Sequence, residues 1–277
     1  MLTDVEHNHY AREVFTMRTI PRKQSMLEKG LEIIELLAEA GRPMTVAEIS
    51  ETLKMPRPTV YRLIQPLEDR GYVSRTTSRN EYTLWLKCLH LGEIVRNSME
   101  LRRLAYPFMQ DLRDEVGLAV HLVIRDQTEA VYVEKVESHH PVRLFTQIGR
   151  RVPLHVTACP RVLLAYRSDD EIEEYLANIS MVKYTSTTVA DPETLWNCIN
   201  AIRQNGYSVA FGELEPKTAA VAVPIFDYRG VVVASLSVAG PEWYFEPAEL
   251  NHLVRSLRSC AHNISQGIGY NGGKNVQ

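Results

Sequence analysis

The first clear pattern runs over residues 24–40, where Leu27, Leu31, Ile34 and Leu37 recur at helical spacing before Gly41, a helix-ending residue. Gly30 within it would let a second helix approach closely. Thr45 and Glu48 then stand at the T-x-x-E spacing of a capping box and open a short helix whose Val46, Ile49 and Leu53 face inward. Lys54-Met55-Pro56 is a tight connection, because the residue before a proline is driven out of the α region. In the next segment, PRPTVYRLIQPLEDRG, Val60, Leu63, Ile64 and Leu67 fall at i, i+3, i+4 and i+7. Arg57, Tyr61, Arg62 and Gln65 collect on the opposite side. Pro66, which lacks a donor, is expected to kink the last turn before Gly71.

Tyr72 and Val73, a polar tip at residues 76–80, and then Tyr82, Leu84 and Leu86 read as a β-hairpin. Three helices, the last two short and tightly joined, followed by a basic hairpin form the winged helix-turn-helix plan. The third helix enters the major groove in that plan, so Arg57, Thr59, Tyr61, Arg62 and Gln65 are candidate DNA contacts, joined by Gln24 and Thr45. Arg75 and Arg79 in the wing would approach the backbone or minor groove.

Residues 85–116 read as helix throughout, with Leu86, Leu89, Ile94 and Val95 available to pack a connecting helix. Leu101, Leu104, Phe108, Leu112 and Val116 do the same for a second helix. Beyond Gly117 the period changes to that of strands: AVHLVIRD and AVYVEKVE flank a turn at residues 127–129, and VRLFTQIG at 142–149 follows as a third. Helices return at 157–166, at 170–178 behind a Ser168/Glu171 capping box, and at 192–204 with Asp191 as N-cap. Strands at 207–211, 219–226 and 231–238 and a long helix at 247–267 complete an α+β domain with a largely antiparallel sheet.

Charge changes the picture only when divided along the chain. The net charge is −3, yet residues 18–87 hold 12 Lys and Arg against 9 Asp and Glu, so a basic module is joined to an acidic one. Four scattered cysteines without a CxxC spacing argue for reduced thiols rather than a zinc ribbon or disulfide framework. No apolar run reaches the length of a membrane span and no signal-peptide pattern opens the chain, so a cytoplasmic protein is expected. His139 and His140 are adjacent and point apart on any regular element, so no metal site and no cofactor is assigned.

The winged-helix segment, together with IGRRVPLHVTACPRVLLAY (148–166), GYSVAFGELEP (206–216) and AVAVPIFDYRGVVVASLSVAGP (220–241), resembles the isocitrate-lyase-regulator (IclR) family of bacterial transcription factors. The resemblance covers roughly residues 24–270. It implies a winged helix-turn-helix at 23–84, a linker helix at 85–100 and a GAF-like effector-binding domain at 101–270, while the mixed polarity of residues 1–22 reads as a flexible arm and 271–277 is left as a tail. It further implies a homodimer or homotetramer on double-stranded operator DNA that answers to a small organic acid and controls a catabolic operon.

Where the family usually has Gly-Lys, this chain has Pro160-Arg161. Where members that bind very small oxo acids carry an acidic residue and a cysteine, it has Ala210 and Ala220, and Ala239 replaces a serine while Ser237 is retained. The resemblance therefore implies a wider, more apolar pocket for an aromatic or sugar-derived acid larger than pyruvate. Its carboxylate is expected at the start of the 157–166 helix, at Thr157, Ala158 and Cys159, where first-turn amides are free. Leu144, Val152, Ala210, Ala220, Ser235 and Ser237 are the candidate walls, and Glu213 and Glu215 the candidate acceptors for a ligand hydroxyl. The alternative is a small-molecule enzyme, with Cys159 as nucleophile and His155 as base, or a metabolite-binding module, in either case with the winged helix as a protein contact.

Overall fold

The structure, a computed structural model, describes residues 25–76, 80–139 and 146–272. The chain divides into two units, Met1–Ser98 and Met99–Gln277. Gln24, Arg79, His140 and Leu144, with the expected arm, lie outside the described residues.

In the first unit, helix α1 (Met26–Ala40) begins at a Ser25/Glu28 capping box and ends at Gly41, whose φ of 59° is the left-handed conformation that glycine tolerates. Of the expected stripe Leu37 is buried and Ile34 half-buried, but Leu27 and Leu31 are exposed and Ile33 is buried in their place. The helix docks through its C-terminal half, where Leu36 and Ala40 also meet the core, so the register of burial is set by what it packs on. A Cβ at Gly30 would meet nothing within 4 Å, so no helix approaches there among the described residues. Strand β1 (Met44–Thr45) leads into α2 (Val46–Thr52), α3 (Arg57–Asp69) and the hairpin β2 (Val73–Arg75) and β3 (Glu81–Leu84). The three strands form an antiparallel sheet in the order β1-β3-β2, and α3 runs through Pro66 to Asp69. Ile33, Leu37, Val46, Ile49, Val60, Leu63, Ile64, Val73 and Tyr82 share one core. Helix α4 (Leu86–Ser98) has no buried residue, and Leu86, Leu89, Ile94 and Val95 are exposed rather than packed within this unit.

In the second unit, α5 (Glu100–Val116) ends at Gly117 and is followed by β4 (Ala119–Asp126), β5 (Glu129–Val136), β6 (Arg151–Pro153), α6 (Ala158–Ala165), α7 (Asp169–Asn178), α8 (Pro192–Asn205), β7 (Ser208–Phe211), β8 (Thr218–Phe226), β9 (Val232–Pro241) and α9 (Pro247–Gly267). Residues 146–149 are not strand; the third strand of this region is β6, which pairs with Glu129–Val131 at the sheet edge. The six strands pair antiparallel in the order β6-β5-β4-β9-β8-β7. Alternation divides them between two cores. Val120, Leu122, Val221, Val223, Leu236 and Val238 join α5 and α9, whereas Val123, Ala210 and Ala222 join α6, α7 and α8. Both faces are covered, which explains why β8 and β9 read as almost unbroken apolar runs.

Candidate nucleic-acid interface and ligand cavity

The capping box of α2 forms as the spacing required: Thr45 Oγ1 accepts from Glu48 N–H at 3.2 Å and donates to its carboxylate at 2.8 Å. That hydroxyl is therefore engaged in starting the helix. The turn to α3 is tight, with Lys54 at φ 52° and Met55 buried, and Pro56 caps a helix that needs no donor there. Val60, Leu63 and Ile64 are buried under α3, which leaves Arg57, Tyr61, Arg62 and Gln65 exposed and Thr59 half-buried. Gln65 is bonded to Asp69 at 3.0 Å and Arg62 lies 3.7 Å from the Met26 sulfur. Arg57, Arg62 and, in the wing, Arg75 form no ion pair among the described residues, so their charge is available to a phosphate or a base edge.

The cavity lies in the second unit, between the start of α6 and the sheet. Thr157, the residue before α6, has φ 61° and ψ −178°, a conformation that costs a β-branched residue on the order of 1–3 kcal/mol and is held by its surroundings. Its N–H donates to Glu213 Oε2 at 3.2 Å, and the same oxygen receives Arg161 Nη1. Arg161 is 2% exposed and Glu213 6%, and Arg161 Nη2 donates to the Val209 carbonyl at 2.9 Å. Glu213 is thus neither a solvated loop acid nor a free acceptor, and the Thr157 amide is not free. Ala158 and Cys159 retain the amides that a helix start leaves over; Pro160 supplies none. Glu215 is paired with Arg150 at 3.4 Å.

Ala210 faces Ala220 across the β7–β8 ladder, and Ala220 faces Ala239 across β8–β9, so three adjacent methyl groups line the floor. The cavity measures about 40 Å³ and is bordered also by Thr157, Cys159, Glu213, Ser237, His121 and Tyr132. It has room for a few waters only. Small side chains on the floor do not make it wide, because larger ones, Tyr132 and Glu213 among them, border it as well. Val152, Ala158 and Ser235 are buried in the surrounding core instead of bordering it, and the Ser235 hydroxyl donates to Val223 O at 3.2 Å. His121 and Tyr132 were not singled out from sequence; a histidine inside AVHLVIRD was the one signal available.

Residues 26–77 match the IclR helix-turn-helix domain, and residues 94–266 match the bacterial transcriptional regulator IclR C-terminal domain. The chain belongs to the IclR family. This IclR-family chain is 40% identical over 248 residues to the HTH-type transcriptional regulator KipR of Bacillus subtilis (strain 168), spanning 90% of this chain and 98% of KipR. It is 34% identical over 250 residues to the HTH-type transcriptional regulator KdgR of Dickeya chrysanthemi, spanning 90% and 82% respectively. Its fold is similar, with a TM-score of 0.75 and 26% identity, to an IclR homolog from Microbacterium hydrocarbonoxydans solved with 4-hydroxybenzoate, covering 88% of this chain and 99% of that one.

As an IclR-family member the chain is a DNA-binding transcriptional regulator and not an enzyme, and the pair behind the enzyme alternative agrees. His155 is bonded through Nδ1 to the Tyr175 hydroxyl at 2.8 Å and through Nε2 to the Val182 carbonyl at 3.4 Å, leaving no base for a thiol. Burial lowers its pKa to about 4. Burial also raises the Cys159 thiol to about 11, with only partial relief from the Ser235 and Ser237 hydroxyls, so a thiolate is not formed near neutrality. No helix of the described residues is long and apolar enough to cross a membrane.

Proposed function

We propose that this regulator binds a two-fold symmetric operator upstream of a catabolic operon as a homodimer or homotetramer, and that a small organic acid in the cavity changes its affinity for that DNA. The observation that supports it most is that Arg57, Arg62 and Arg75 on one unit form no ion pair among the described residues, while the second unit of the same chain holds a cavity at a helix start. The ligand's carboxylate would take the Ala158 and Cys159 amides. Arg161 neutralises Glu213 there, so the helix start keeps its positive end. Thr157, Thr218 and Ser237 beside the alanine floor suit a hydroxylated acid, aromatic or sugar-derived. Because interiors are close-packed, such a ligand displaces lining side chains as it enters, which gives binding a way to alter the domain. The exposed apolar row Leu86, Leu89, Ile94 and Val95 on α4 supports self-association.

The test combines operator binding with a thermal-shift screen of hydroxylated aromatic and sugar acids. Ala158→Leu would overpack the core, so Ala220→Leu is the better variant: Ala220 is half-buried on the cavity floor. It is expected to keep operator binding and lose the response to acid. A full response from folded Ala220→Leu protein places the ligand elsewhere.

A further inference from the structure

His121 borders the cavity with a ring nitrogen that the described residues leave unused. It sits in the middle of β4, is 2% exposed, and is the Cα partner of Ser237 on β9 and of Lys135 on β5. Its Nε2 has no hydrogen-bond partner among the described residues. The ring borders the cavity and meets Tyr132 edge-on, with centroids 5.5 Å apart and planes at 89°. Lys135 offers it only repulsion, because the lysine Nζ is held by the Thr146 carbonyl at 2.9 Å and by Glu137 at 3.0 Å. Burial first, and Lys135 second, lower its pKa to about 3, so the ring is a neutral imidazole with one N–H and one lone pair. A buried polar atom without a partner is a standing cost to the fold, and an apolar side chain of similar size would remove it. Ser237, its partner across the β4–β9 ladder, is engaged with the Cys159 sulfur.

We propose that His121 Nε2 is the effector's second polar contact, hydrogen-bonding an uncharged hydroxyl or carbonyl oxygen on the body of an acid whose carboxylate lies at the start of α6. This rests on the reading of the cavity as the effector site and adds the chemical class to it. A neutral imidazole does not select a second anion; it selects an oxygen that shares a proton. The effector is therefore a bifunctional acid, and the same acid stripped of that oxygen leaves Nε2 orphaned and binds more weakly.

The experiment compares matched acids by calorimetry on the full chain: 4-hydroxybenzoate against benzoate, and gluconate against hexanoate. In the unsubstituted protein the oxygenated member of at least one pair is expected to bind about tenfold more tightly, the ratio of one ordinary hydrogen bond. In His121→Leu that preference disappears while the stripped acid binds as before, and the ligand-free protein unfolds at a higher temperature. His121→Asn, which keeps a donor and an acceptor, retains part of the preference, and it carries the test if the leucine variant does not fold. A preference that survives in both variants, or is absent from every pair whose members the unsubstituted protein both binds, overturns the role of His121 and leaves the effector site standing. Binding of none of the four acids overturns the reading of the cavity itself, and this inference with it.

Discussion

Arg161 and Glu213 form an ion pair sealed inside the second unit, their side chains only 2% and 7% exposed, with the carboxylate also holding the Thr157 amide at the start of α6. One protein carboxylate thus fixes both the strained entry of the helix and the charge of its second turn. A buried pair contributes little net stability over an apolar pair, but losing one partner strands the other. Arg161→Met or Glu213→Leu alone is expected to cost about 3–5 kcal/mol in urea unfolding, and the double variant to recover most of that loss. Additive losses in the double variant would mean that the two side chains act separately.

On α3, Arg62→Ala is expected to weaken operator binding by roughly 1–3 kcal/mol if it reads a base, with the fold intact because the side chain is exposed. Arg75→Ala in the wing weakens all sequences alike and flattens the salt dependence. Operator affinity unchanged in an Arg57→Ala/Arg62→Ala protein would remove α3 from the interface.

Self-association through α4 predicts that Leu89→Glu with Ile94→Glu yields a monomer by light scattering at micromolar concentration. Both side chains are exposed within their own unit, so its fold survives. Operator binding drops to that of a half-site. An unchanged oligomer would locate the interface elsewhere.

The pH dependence of stability has a determined sign. His121 and His155 have native pKa values lowered to about 3 and about 4, whereas an unfolded histidine titrates near 6.5. The unfolded chain therefore binds more protons below about pH 6.5, and stability falls as pH falls through that value. Each histidine is expected to cost about 2 kcal/mol by pH 5, above the range where carboxylates dominate. Urea unfolding at pH 7.5 and pH 5 checks this, and His121→Leu should show about half the loss of the unsubstituted protein.

What the sequence determined by itself was everything set by neighbours within a few residues. The i, i+3, i+4, i+7 stripe of α3, the capping boxes Thr45/Glu48 and Ser168/Glu171 and the Asp191 cap are local hydrogen bonds and local sterics, and they form where the spacing placed them. The α+β class and the antiparallel sheet followed from the same periodicities. Tertiary structure alone decided which chain-distant groups meet. Arg161 and Glu213 are 52 residues apart, and only the docking of α6 over β7 and β8 removes both from water together. The alanine floor depends on strand register, Ala210 to Ala220 to Ala239, which no single strand encodes. The same register sets His121 beside Ser237 and turns an unremarked strand histidine toward the cavity. Likewise α1 carries apolar residues on more than one side, so burial of Ile33 rather than Leu31 was fixed by the helix it leans on. Local order is written in short-range interactions, whereas a cavity is the space left between elements after they pack, and its walls belong to no segment of the chain.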